Sequence, residues 1–355
     1  MSAKVIASIV GARPQFIKAA PVSRALAGHC DERLIHTGQH YDYGMSEIFF
    51  AEMGLPAPCC NLGIGSGSHG EQTGQMLIAL ERVLTEIKPD LVLVYGDTNS
   101  TLAGALAAAK AGIPLAHVEA GLRSFNRAMP EEINRLVADH LSTLLFCPTE
   151  AAVHNLALEG IRAGVHLVGD VMYDAFLYNL AAARARSDVL SRLGLRRGGY
   201  ALATVHRAGN TDEAGNLSGI FTALGRLPLP VILPLHPRTR KLLTQFGISV
   251  PANVTVLEPL GYLDMLSLEE NAECILTDSG GIQKEAYLAG VRCITLREET
   301  EWVETVEAGW NRLAGANPER ILAAYADWRP PAERPSFYGD GHAAEKIRDL
   351  LCALP

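Results

Sequence analysis

A doubly wound α/β fold in two domains is what this chain of 355 residues predicts, and three observations carry it. The length is about twice the roughly 150 residues of a common domain. Short β-rich runs alternate with longer helical patterns along the whole chain. Most of those runs are near-continuous Val, Ile and Leu instead of alternating apolar and polar residues, the mark of parallel strands covered on both faces. Strands are expected at 4–10, 91–95, 114–118, 144–147, 165–168, 200–204, 231–234, 254–257, 275–277 and 293–296, with helices such as 98–110, 131–142, 212–226 and 281–289 between them. The series runs twice. A first set ends near Val168, where Gly169-Asp170 opens a long helical segment at 171–193, and a second set begins at Tyr200. A Pro-rich break at 329–335 precedes a last helix at 342–354. The expected division is therefore 1–168, 169–335 and a C-terminal helix in 336–355 that returns to the first domain: two Rossmann-like domains with parallel sheets, facing a cleft.

Composition narrows the function classes. Hydrophobic residues make up 48% of the chain, enough for two cores, and 31 Lys and Arg against 39 Asp and Glu leave a net charge of −8. That balance excludes a broad nucleic-acid or anionic-membrane surface, while a local basic pocket for phosphates stays open. No apolar run reaches the roughly 18 to 20 residues needed to span a bilayer. The first apolar stretch, 5–10, runs into Arg13-Pro14 without the pattern of a signal peptide. Seven cysteines, an odd count without a Cys-x-x-Cys spacing, read as reduced structural thiols of a cytoplasmic protein.

In sheets of this kind ligands bind beyond the carboxyl ends of the strands, and the polar clusters of this sequence fall there. After the first strand comes Gly11-Ala12-Arg13-Pro14-Gln15, with Lys18 one turn later. A Gly turn at a helix N-terminus offers backbone N–H groups to an anion, and Arg13 and Lys18 add charge; a tight turn with two solvated cations is the plainer alternative. Asp97, in Gly96-Asp97-Thr98-Asn99-Ser100, is either a catalytic carboxylate or the N-cap of the next helix. Glu119 and Arg123 stand in the cluster 117–123, and Glu131 in 130–135, where Pro130 and two acids also read as helix-start chemistry. Convergent carboxylates can hold their pKa values apart and act as base and acid.

In the second half His206-Arg207 follows the strand at 200–204, and His236-Pro237-Arg238 repeats that arrangement one strand later. The strongest signal is Asp278-Ser279-Gly280-Gly281, which ends an apolar strand and opens a helix with Glu285 one turn in. Backbone amides and a hydroxyl can meet a phosphate there, and Glu285 can accept from ribose hydroxyls; a Gly-rich helix cap is the alternative. Two patterns mislead. Gly65-Ser66-Gly67-Ser68-His69-Gly70 fits the dinucleotide fingerprint, but no buried strand precedes it and Asp90 precedes a strand, so it reads as a polar loop before a helix at Gln72. His117-x-Glu119 with His36 and His40 is too sparse for a metal site, and no metal is expected.

Together these stretches resemble the non-hydrolysing UDP-N-acetylglucosamine 2-epimerases along essentially the whole chain. The resemblance rests on GARPQFIKA from Gly11, HTGQHYD from His36, YGDTNST from Tyr95, HVEAGLR from His117, PEEINR from Pro130, His206-Arg207, LTDSGGIQKEA from Leu276 and YGDGHA from Tyr338. It implies the glycosyltransferase-B type of two-domain fold, a homodimer, no cofactor, and UDP held mostly by the second domain. It also implies anti-elimination of UDP across C1–C2 of the sugar to a 2-acetamidoglucal, then re-addition with C2 inverted. By this match Asp97, Glu119 and Glu131 are the catalytic carboxylates and His206 assists at the diphosphate. Arg13, Lys18, Ser279, Gly280, Gly281 and Glu285 match UDP-binding positions, with Arg123, Arg207 and His236 as further substrate contacts. Gln39 and His40, with Gln72, match a place where some bacterial relatives take UDP-GlcNAc as an activator.

Departures from the pattern matter too. Trp302 stands where many members carry an arginine, and Gly209 where an acidic residue often follows His-Arg. With MSEIFF from Met45, GDVMYD from Gly169 and LPLHPRTR from Leu233, the Trp form resembles a branch acting on UDP-2,3-diacetamido-2,3-dideoxy-glucuronic acid for O-antigen or capsule sugars. That substrate is favoured over UDP-GlcNAc. A hydrolysing epimerase releasing UDP and N-acetylmannosamine, or a glycosyltransferase of the same fold, are the alternatives. A nucleotide-sugar sensor is disfavoured by the three carboxylates, and a nicotinamide enzyme by the context of the glycine loop.

Overall fold

The computed structural model describes residues 3–39 and 54–354. The chain forms two compact units, 1–177 with 336–355, and 178–335; the division falls inside the helix Val171–Arg186. The first unit is a sheet of β1 (Val5–Val10), β2 (Asp31–His36), β3 (Cys60–Asn61), β4 (Leu91–Tyr95), β5 (Leu115–Val118), β6 (Leu144–Cys147) and β7 (Val165–Leu167). Its order is β3-β2-β1-β4-β5-β6-β7, with every pair parallel. The second unit holds β8 (Ala201–Thr204), β9 (Val231–Pro234), β10 (Val254–Leu257), β11 (Cys274–Thr277), β12 (Arg292–Thr295) and β13 (Asn311–Leu313), in the order β10-β9-β8-β11-β12-β13, again all parallel. Helices separate most of these strands, as a doubly wound α/β chain requires.

β1, β4, β8 and β11 sit centrally, and their aliphatic runs are buried almost throughout because helices cover both faces. Three strands lie outside the expected set, each for want of such a run. β2 opens with Asp31-Glu32-Arg33 and buries only its second half, and β3 and β13 are two and three residues long. Backbone pairing to a neighbour makes them strands.

The topology puts the order reversal of each sheet beside its centre: between β1 and β4 in the first unit, and between β8 and β11 in the second. A crevice opens at such a switch point because the connections leave on opposite faces. The glycine turn after β1, Asp97 after β4, His206-Arg207 after β8 and Ser279 after β11 therefore stand at the carboxyl ends of the strands that flank these switch points. The alanine-rich helix Asn99–Ala111 lies close on β1 and β4: a Cβ on Gly104 would stand 2.9 Å from both Ile9 Cδ1 and Val94 Cγ1. At the end of the chain the helix Ala343–Cys352 packs on the helix Arg13–Leu26. Asp174 caps it, accepting from the backbone N–H of Ala343 (3.2 Å) and Ala344 (2.7 Å). No helix of the described residues is long and apolar enough to cross a membrane.

Candidate active site

The turn after β1 differs from the expected anion site. Gln15, buried in the first turn of the helix Arg13–Leu26, folds back so that its Oε1 accepts from Gly11 N–H (2.8 Å) and Ala12 N–H (3.1 Å). Its Nε2 donates to Tyr95 O (2.9 Å) and Thr101 Oγ1 (3.1 Å). The amides expected to meet a phosphate are thus satisfied internally, and Gln15 ties the end of β1 to the end of β4. Arg13 stays on the exposed surface at the helix start. Lys18 points inward and forms an ion pair with Glu119.

Lys18 and Glu119 are only 12% and 8% exposed. Burial alone would lower the Lys18 pKa, but Glu119, Asp97 and Asp170 together hold it above the ordinary lysine value. Glu119 follows β5 with φ of +71°, in the left-handed region that costs a non-glycine residue about 1–3 kcal/mol and persists where the surroundings over-determine it. Phe146 O accepts from the N–H groups of both Glu119 and Ala120, each at 3.1 Å. Gly96 has φ of +61° and lies flat against the ion pair: a Cβ there would stand 3.1 Å from Lys18 Nζ and 3.3 Å from Glu119 Oε2.

Asp97 is not the helix cap. Thr98 occupies the N-cap, and the Asp97 carboxylate faces Arg135, which donates from Nε at 3.1 Å and pairs through Nη2 at 3.0 Å. The carboxylate is still about a third exposed, at 32%. Asn134 holds the Asp97 carbonyl at 2.8 Å. Both partners come from the helix Pro130–Leu141, which buries Glu132, Arg135 and Asp139 and leaves Ile133 exposed. Glu131, in its first turn, has no side-chain hydrogen bond or ion pair among the described residues, whereas Glu132 accepts from Ser124 N (2.9 Å), Ser124 Oγ (3.0 Å), Phe125 N (3.0 Å) and Arg135 Nη1 (2.5 Å). Burial works to raise the Glu132 pKa, but these donors hold it below the ordinary value.

Arg123 is a correction. Its side chain is 1% exposed, with Nε and Nη2 on Glu159 (2.7 and 2.8 Å) and Nη1 on Leu122 O (2.8 Å) and Asp139 (2.7 Å). So engaged and desolvated, it braces the interior of the unit and is not available to substrate.

Gln39 and Gln72 meet consecutive residues at the start of the helix Asn99–Ala111. Gln39 Oε1 accepts from Ser100 N (3.1 Å) and Ser100 Oγ (2.7 Å), and Gln72 Oε1 from Asn99 Nδ2 (2.8 Å). His40 lies outside the described residues. The glycine stretch before Gln72 runs into the helix His69–Ile87, capped by Ser68, so that helix begins three residues before Gln72.

In the second unit a fully buried Asp278 organises the loop after β8. It accepts from His206 N (3.1 Å), Arg207 N (3.0 Å) and Asn210 Nδ2 (3.1 Å), and His206 Nδ1 lies 3.3 Å away. His206 and Arg207 are left about half exposed, at 49% and 48%. His236 caps its own helix, accepting from Arg238 N at 3.2 Å. Ser279 is the N-cap of the helix Gly280–Ala289, accepting from Ile282 N at 3.5 Å. Glu285 is buried and accepts from Tyr262 OH at 2.8 Å. Trp302, at the departure from the family pattern, donates its indole N–H to Gly280 O at 2.8 Å, and Lys284 Nζ sits 4.3 Å over its ring.

Sequence reasoning missed Gln15, Arg135, Asp139 and Asp278. The signal for two of them was present: Glu132, Arg135 and Asp139 recur at helical spacing, a polar stripe on one face of the helix.

Among known families, the model described as UDP-N-acetylglucosamine 2-epimerase matches residues 24–352. The chain is 53% identical over 352 residues to a UDP-N-acetylglucosamine 2-epimerase homolog of Methanococcus maripaludis, covering 98% of this chain and 99% of that one. It is 48% identical over 360 residues to the UDP-2,3-diacetamido-2,3-dideoxy-D-glucuronate 2-epimerase of Pseudomonas aeruginosa, covering 98% and 99%. A crystal structure of Methanocaldococcus jannaschii UDP-GlcNAc 2-epimerase with UDP-GlcNAc and UDP is similar at a TM-score of 0.88 and 46% identity, covering 98% of this chain and 99% of that one. The polar clusters at both switch points and these likenesses over nearly the full length lead to one conclusion: the chain belongs to the UDP-N-acetylglucosamine 2-epimerase family.

Proposed function

We propose that this protein inverts C2 of a UDP-2-acetamido sugar without hydrolysing it. In the forward step a carboxylate takes the C2 proton, the C–H electrons form the C1–C2 double bond, and UDP departs with the C1–O electrons. In the return step a diphosphate oxygen re-adds at C1 and a proton reaches C2 on the opposite face. Such chemistry needs groups able to hold a proton on each face and donors for the leaving diphosphate. Glu119 carries this reading: a buried carboxylate in strained backbone, paired with Lys18 and sharing that cation's field with Asp97. Glu131, without a protein partner among the described residues, supplies a third carboxylate. His206 and Arg207 are the donors for the diphosphate, Arg13 adds charge, and Ser279, Gly280, Gly281, Glu285 and His236 serve the nucleotide.

The favoured substrate is UDP-2,3-diacetamido-2,3-dideoxy-glucuronate, on the strength of the Trp302 form and the likeness to the Pseudomonas enzyme. Gln39, His40 and Gln72 form a regulatory site for UDP-GlcNAc in this reading, and the enzyme works as a cytoplasmic homodimer in surface-polysaccharide synthesis.

Proton NMR in D2O, with this sugar and UDP-GlcNAc in parallel, tests the function. Deuterium at C2 of a manno-configured UDP-sugar is the expected result, and the faster substrate identifies the branch. Free UDP with free sugar would instead establish a hydrolysing enzyme, and no exchange on either substrate would refute an epimerase. Acceleration of the diacetamido reaction by UDP-GlcNAc, lost in Gln39→Ala, tests the regulatory site.

A further inference from the structure

One buried carboxylate reaches the turns that carry two of the three carboxylates of the proposed chemistry, Asp97 and Glu119. Asp139, on the helix Pro130–Leu141, is 1% exposed. Its Oδ1 meets His117 Nδ1 at 2.7 Å, and the other ring nitrogen, Nε2, donates to Gly96 O at 2.7 Å. That carbonyl belongs to the peptide joining Gly96 to Asp97, so its direction sets the start of the Asp97 turn. The Oδ2 of Asp139 accepts from Gly121 N–H at 3.1 Å and from Arg123 Nη1 at 2.7 Å. His117 and Gly121 stand two residues before and two residues after Glu119. The left-handed Glu119 is therefore gripped from both sides by one side chain, which is how a strained φ survives in a folded protein. Burial works to raise the Asp139 pKa, but His117 and Arg123 hold it below the ordinary aspartate value, so the carboxylate keeps both lone-pair faces as acceptors.

We infer that Asp139 is a positioning residue for the C2 chemistry, holding the Asp97 and Glu119 turns in register through His117 and Gly121. The inference rests on the proposed function, in which those two carboxylates act on the sugar.

Three variants and one cycle test it. Asp139→Ala removes every arm and is expected to lower kcat by about 100-fold, the scale of a misplacement near 1 Å, with KM and UDP affinity unchanged. Asp139→Asn can still accept from Gly121 and Arg123 and donate to His117 Nδ1, so it is expected to recover turnover to within about tenfold of the parent. Glu159→Gln breaks the same buried network at Arg123 without touching either turn, and kcat should hold. In a cycle with Glu119→Gln, adding Asp139→Ala should give less than its own full loss, because the part of that loss carried by Glu119 is already gone.

A folded Asp139→Ala enzyme with normal kcat would overturn the inference, as would a Glu159→Gln loss equal to that of Asp139→Ala. Should Asp139→Ala not fold, His117→Gln cuts the arm through His117 to Gly96 and leaves the Gly121 arm in place. A fall of about tenfold in its kcat at unchanged KM would support the inference, and a folded His117→Gln with parental kcat would overturn it. Failure of the underlying function looks different: Glu119→Gln would itself keep full turnover.

Discussion

Gly96 offers a sharp test because its backbone strain and its contact with the Lys18–Glu119 pair can be separated. Replacing it with Ala at φ of +61° places a methyl 3.1 Å from Lys18 Nζ and 3.3 Å from Glu119 Oε2. The left-handed backbone costs an L-residue roughly 1–2 kcal/mol. For a unit of this size that amounts to a Tm loss of about 2–4 °C per kcal/mol. The crowding adds little to stability, since Lys18 Nζ is the end of a flexible chain, but it must push the ion pair by a few tenths of an ångström. Gly112, the C-cap of the helix Asn99–Ala111, is the matched control: its φ is +69° and nothing lies within 4 Å of a Cβ built on it. Gly112→Ala and Gly96→Ala should therefore lose similar Tm. Gly96→Ala alone should lose turnover, by about 10- to 100-fold, since sub-ångström displacement of reacting groups acts on kcat. Calorimetry and C2 deuterium exchange read the two effects. Equal activity in the two variants, at equal loss of Tm, would refute the placement of the Lys18–Glu119 pair at the reacting centre.

Acid stability should follow the carboxylates that the fold holds ionised. Asp139 and Glu132 sit below their ordinary values of 3.8 and 4.5, so their contribution is complete above those values and disappears as pH falls through the lower folded ones. Glu132→Gln should flatten the acid limb of Tm against pH; an unchanged limb refutes it. Glu269 is the opposite case, buried, with Oε2 unpartnered and its pKa pushed well above 4.5 by burial and then by Glu285. The folded state keeps a proton that the unfolded chain releases, so stability is lost as pH rises above 4.5, and Glu269→Gln should raise Tm more at about pH 8 than at about pH 5. A pH-independent difference would refute this. Cys30 and Cys352 bring their sulfurs to 3.6 Å, and burial, then Cys352, pushes the Cys30 thiol up to about 11. Because the thiolate is the attacking species, oxidised glutathione should close this pair at alkaline pH and leave it reduced near neutrality, read as loss of two hydrogens by mass. Closure that persists in Cys30→Ser would refute the pairing.

The class of fold was legible because its signal is local. A buried parallel strand must be apolar on both faces, so 91–95 and 275–277 announce themselves, and an apolar strand ending in Ser-Gly-Gly marks a helix start with accessible amides. β2 and β13 were not legible, since partly polar segments become strands only when a neighbour pairs with them. The candidate site divides in the same way. Its residues could be named from their places after strands, but their partners could not. Gly11 and Ala12 look like free donors until Gln15 turns back on them, and Arg123 looks like a substrate cation until Asp139 and Glu159 enclose it.

By itself the sequence determined the alternation of strands and helices, the glycines that permit left-handed turns, and the residue types at the strand ends, because periodicity and backbone sterics act over a few neighbours. Only the tertiary structure decided which of those polar groups face each other. Lys18 and Glu119 are 101 residues apart and Arg135 and Asp97 are 38 apart. Pairings at such separations follow from strand order and helix packing, which bring together groups that no local pattern connects.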